Sequence, residues 1–182
     1  MPKVVVDGQR LALLASAFVV ASCGLAYELV AGSLSSYLLG DSVTHFSTVI
    51  GTYLFAMGIG SWLSKHVENH VADTFVSVEV AIGVLGGFTA PFLYWVFSQP
   101  GAPFHFFLYW CVLLVGTLVG LEIPLVMRLL SSQTSLKDLV SQVLTFDYLG
   151  ALAVSVAFPL VFVPRLGFVK TGIVFGILNV LV

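Results

Sequence analysis

The residues able to do chemistry in this chain are few, and they sit where they are costly. Tyr27 and Glu28 lie inside an apolar run that begins at Leu11. A charged acid near the middle of a bilayer-length helix costs roughly 2.5 to 3.5 kcal/mol on insertion scales, so it faces a bundle interior, pairs, or becomes neutral. Such a carboxylate can bind a cation, relay a proton or anchor a polyamine-like ligand, with the neighbouring phenol orienting it. The alternative is a structural acid bonded to another helix. Glu122 precedes Pro124 by two residues; the proline cannot donate to the Gly120 carbonyl, which puts a loose acceptor beside an acid. Asp147 with Tyr148 is the third candidate. Tyr27, Glu28, Glu122, Asp147 and Tyr148 are therefore the intramembrane ligand-binding candidates, and Arg128 is expected to form a structural ion pair with Asp147. No catalytic residue and no metal ligand is expected.

These residues need long apolar helices to hold them. The 182 residues are 59% hydrophobic and 9% charged, with a mean hydropathy of +1.07, whereas charged residues make up about a quarter of a soluble domain. The expectation is an all-α membrane protein, a single transmembrane domain over residues 1–182. Its spans are predicted at about 11–33, 46–64, 76–98, 105–130, 143–164 and 168–182, the last cut short. A helix ending in mid-membrane reads as part of a longer protein. Residues 1–10 read as a polar arm, and Ser131 to Gln142 as a polar loop with a short surface helix. Lys3, Arg10, Lys65, Arg128 and Lys137 fall on one side and Arg165 and Lys170 on the other, which predicts a cytoplasmic N-terminus. Glycines four apart (Gly83 and Gly87, Gly116 and Gly120, Gly172 and Gly176) predict close helix packing, with a dimer seam as the other reading. Three helices and three more permit an inverted 3+3 repeat, with Gly24 to Glu28 answering Gly120 to Pro124.

The remaining polar residues carry plainer readings. Glu79 is placed in the first turn of the third helix, favoured there by the helix dipole. His66 and His70 have the spacing of a metal pair, but no third ligand stands near them. Cys23 and Cys111 read as buried thiols. The net charge of −2 offers no surface for nucleic acid. No phosphate loop, dinucleotide fingerprint, zinc signature or nucleophile elbow is present.

Four runs carry a family resemblance: CGLAYELVAGSLSSYLLGDSV (23–43), STVIGTYLFAMGIGSWLSK (47–65), GTLVGLEIPLVMRLL (116–130) and VLTFDYLGALAVSVAFPLVFVPRLGFVKTG (143–172). They resemble the N-terminal membrane region of bacterial membrane-bound spermidine synthase-like proteins, the polyamine aminopropyltransferase family. The resemblance implies an inner-membrane, multi-pass domain preceding a soluble Rossmann-like domain that moves an aminopropyl group from decarboxylated S-adenosylmethionine to putrescine. That domain is absent from this chain, which needs no cofactor of its own. The implied partners are the lipid bilayer, a polyamine, and a homodimer or larger membrane complex. Two other functions stay open: a structural or accessory subunit of a membrane complex, and a small stand-alone transporter.

Overall fold

The structure is a computed structural model describing residues 3–131 and 135–182, the side chains of residues 3–7 and Gln9 excepted. Among the described residues it is helical throughout, with no strand. Six helices follow in order: α1 (Lys3–Leu39), α2 (Ser42–Leu63), α3 (Val71–Ser98), α4 (Phe104–Leu130), α5 (Leu136–Ala157) and α6 (Val163–Val180). A single 3-10 turn, Ser64–His66, follows α2, and a π-helical turn, Phe158–Phe162, joins α5 to α6. Five helical segments are long and apolar enough to cross a membrane; the last, Leu136–Val180, counts as one run of 45 residues.

That run includes residues 165–167, where the expected boundary between spans five and six falls. At about 1.5 Å per residue it would measure some 67 Å if straight, twice the thickness of a bilayer core. It is not straight. Gly167 takes φ 70° and ψ 178°, a combination open essentially to glycine alone. The contacts on either side show a reversal. Arg10 donates to Gln142 and Ser22 to the Gly150 carbonyl, so α5 runs parallel to α1. Cys23 meets the Phe175 carbonyl and Tyr37 meets Phe168, so α6 runs antiparallel to α1. The chain thus turns back without a polar loop.

Other boundaries shift outward. The expected polar arm belongs to α1 from Lys3 onward. The expected loop from Ser131 to Gln142 is mostly the first turns of α5, which Ser135 caps by accepting from the Asp138 N–H; residues 132–134 lie outside the described residues. Arg10, Lys65, Arg128 and Lys137 gather at one end of the bundle, where Arg10 meets α5 and Arg128 donates to the Val67 carbonyl at 2.7 Å. The side chain of Lys3 lies outside the described residues.

α1 is the central element and packs against all five others. Its buried face runs Val20, Cys23, Ala26, Tyr27, Val30 and Leu34. The four-apart glycines are helix contacts within this chain. A Cβ on Gly116 would lie 2.9 Å from that of Ala56, and one on Gly176 would lie 2.5 Å from the Gly83 carbonyl oxygen. α2 therefore closes on α4, and α3 on α6, at backbone distance, the packing that small residues permit in lipid.

Candidate functional site

Glu28 from α1, Glu122 from α4 and Asp147 from α5 line one cavity of about 150 Å³, completed by Tyr53 and Met57 of α2 and by Gly24 and Val119. Each helix supplies one polar group to an otherwise apolar wall. Tyr53 is fixed by donating its hydroxyl to the Gly24 carbonyl at 2.8 Å, which ties α2 to α1 at the cavity's edge. Gly24 is needed there, since an added Cβ would sit 3.0 Å from Val119. Ser22, one turn before the cavity, bridges α1 to α5 through Gly150 at 3.1 Å.

The acids are sheltered, and no cation among the described residues pairs with them. Glu122 is 3% exposed and Glu28 9%. Glu122 Oε1 has no hydrogen-bond partner among the described residues, and none of the three carboxylates forms an ion pair or hydrogen bond there. Leaving a buried acceptor without a donor costs on the order of 1 to 3 kcal/mol, more for a charged one. The arrangement is a recess lined by three carboxyl groups that have no bonded partner among the described residues.

Three sequence expectations are corrected here. Arg128 does not pair with Asp147: it caps the Val67 carbonyl instead, because Asp147 lies three turns into α5 and faces the cavity, while Arg128 sits at the end of α4. Tyr27 does not join Glu28, since adjacent residues on a helix diverge by about 100°; its ring packs on Gly86 of α3, where a Cβ would lie 2.8 Å away. Tyr148 is 66% exposed and points out of the bundle. Tyr53 gives no such signal in the sequence, since its run from Phe46 to Ser64 carries no acid.

Glu79 also differs from expectation. α3 begins at Val71, so Glu79 lies two turns inside it, 3% exposed. It is bonded to Asn179 of α6, whose Nδ2 donates to Glu79 Oε2 at 2.7 Å. His66 and His70 take separate partners, the Leu63 carbonyl at 3.2 Å and Asp73 at 3.3 Å.

Comparison with known proteins bears out the resemblance read from the four runs. A protein of Ralstonia nicotianae named polyamine aminopropyltransferase 1 is 57% identical over 180 residues, 98% of this chain and 34% of that protein. A polyamine aminopropyltransferase of Leptospira interrogans is 52% identical over 169 residues, 93% of this chain and 34% of the relative. Polyamine aminopropyltransferase 2 of Streptomyces coelicolor is 38% identical, covering 95% and 33%. The chain belongs to the polyamine aminopropyltransferase family. It spans about a third of the length of the curated relatives it matches. No family model and no solved structure matches it.

Proposed function

We propose that this chain is the multi-pass, inner-membrane domain of an aminopropyltransferase of polyamine synthesis, and that the Glu28–Glu122–Asp147 cavity takes a cationic amine. The observation that carries the reading is the convergence of three carboxylates from three helices on one recess without a protein cation among the described residues. At about 150 Å³ the cavity is smaller than the roughly 300 Å³ at which small-molecule sites begin. It therefore holds one ammonium end of an extended polyamine, with the rest of the molecule reaching outside it. Aminopropyl transfer, with decarboxylated S-adenosylmethionine as donor, belongs to the remainder of the full-length protein, and the membrane domain supplies or carries away the amine.

The bundle is read as six crossings in an inverted 3+3 repeat. Exchanging the halves turns the α2–α4 contact into α5–α1, turns α3–α4 into α6–α1, and returns α3–α6 to itself. The match is incomplete, since α1 packs on α3 while α4 has no such contact with α6. Inverted repeats place substrate sites near mid-membrane at the interface of the halves, and residues of both halves, from α1, α2, α4 and α5, line this cavity. The basic residues gathered at the N-terminal end of α1 support a cytoplasmic N-terminus.

The test is equilibrium binding of spermidine to the purified protein in detergent or nanodiscs, by calorimetry. Glu122→Gln and Glu28→Gln are expected to weaken binding about 10- to 100-fold, the loss expected when one partner of a buried charged contact is removed. Equal affinity in wild type and both variants contradicts the reading and favours acids that merely hold helices together.

A further inference from the structure

A second buried carboxyl lies outside this cavity, at the place where α3 and α6 meet backbone to backbone. Glu79 is 3% exposed and Asn179 is 0%. Asn179 directs its Nδ2 hydrogens to one residue, the Glu79 carbonyl oxygen at 2.9 Å and Oε2 at 2.7 Å. Glu79 Oε1 and Asn179 Oδ1 are left as two acceptors with no donor among the described residues. Nothing cationic among the described residues relieves them. From α1, Cys23 and Tyr27 lie within electrostatic reach, from α4 Glu122 does, and α6 contributes the neutral Asn179.

The missing donor must be small. An added Cβ on Gly83, one turn along α3, would lie 2.6 Å from the Val180 side chain, 2.7 Å from the Gly176 carbonyl and 3.4 Å from Asn179 Cβ, so backbone and the Val180 side chain close the seam beside the pair. Two oxygens also fall well short of the roughly six that a hard metal ion gathers, and no group of three metal-ligating residues occurs among the described residues. A single proton meets the need. Placed on Glu79 Oε1, it turns that atom from an acceptor without a donor into a donor.

We propose that Glu79 and Asn179 form a buried proton-binding site, distinct from the acidic cavity and coupled to it across α1. The coupling rests on the cavity reading: an ammonium beside Glu122 favours ionisation of Glu79, so amine binding releases the Glu79 proton to solvent. By linkage, protonation of Glu79 then weakens amine binding by the same factor.

The experiment is infrared difference spectroscopy at neutral pH on the purified full chain. Wild type minus Glu79→Gln is expected to show the carbonyl stretch of a protonated carboxylic acid, shifting in deuterium oxide. Gln keeps the shape and hydrogen-bonding capacity of the pair. Asn179→Ala, which retains the acid but removes its N–H donor, is expected to move that band to higher frequency. A difference spectrum with no acid band, or with a carboxylate band in its place, overturns the proton site whatever the amine does. Calorimetry of spermidine in buffers of different ionisation enthalpy then counts protons: wild type is expected to release more than Glu79→Gln, and equal counts overturn the coupling. If spermidine fails to bind wild type, the cavity reading and the coupling fail together, while the infrared band still decides the proton site.

Discussion

The bundle buries carboxyl groups in two regions, and they are built differently. Around Glu28, Glu122 and Asp147 four helices leave a recess, and the acids face it without bonded partners among the described residues. Around Glu79 two helices close on glycine, and the acid is bonded to one amide. The number of helices that meet, and the size of the residues between them, decide which polar site can take a ligand. Met57, Val119 and Ile123 supply apolar wall at the cavity; Gly83, Gly87, Gly172 and Gly176 bring α3 and α6 together at the seam.

The contrast is most easily broken at the seam. Gly176→Leu drives a side chain into the Gly83 carbonyl, separates α3 from α6 and strips Asn179 from Glu79. It should cost about 3 kcal/mol, the upper range for overpacking, read as a large fall in the detergent melting temperature. Gly167→Ala comes next, since the φ of 70° and ψ of 178° at the reversal strain any residue with a Cβ by about 1 to 3 kcal/mol. Its stability should fall while the cavity side, which α6 does not line, keeps its amine affinity per folded molecule. Asp147→Asn sharpens the cavity side: Asp147 is the least buried of the three acids, being half-buried, so spermidine binding should weaken only about tenfold, roughly 1.4 kcal/mol.

The smallest effect is expected at Asp41, which lies in neither region and caps α2 by accepting from the Thr44 N–H at 3.2 Å. The Thr44 hydroxyl and backbone N–H hold its carboxyl below the usual carboxylate range. A lowered value means the contribution is present at neutral pH and is lost as the pH falls through that range. Asp41→Ala should melt slightly below wild type at pH 7, with the gap closing in acid.

Much of this was legible in the sequence because hydrocarbon makes acids expensive. That cost alone pointed to Glu28, Glu122 and Asp147 as members of one shared interior, and the glycine spacing pointed to close helices. What stayed hidden depends on phase and register. Tyr27 reads as a neighbour of Glu28 until helical rotation turns it toward Gly86. Glu79 reads as a helix-end acid because the polar stretch before Val71 hides where α3 begins. Asn179 is the one amide in an otherwise apolar run, and its partner is 100 residues away. The reversal at Gly167 gives no polar signal, since the turn is made by backbone dihedrals alone.

The most direct test of the central claim, that the three acids form a ligand site, is a structure of the protein determined with spermidine at saturating concentration. The account predicts density for an ammonium group within hydrogen-bond distance of Glu122 and either Glu28 or Asp147, in the recess beside Tyr53. An empty recess with the carboxyl groups bonded to neighbouring helices, or spermidine bound only at the surface, would contradict it.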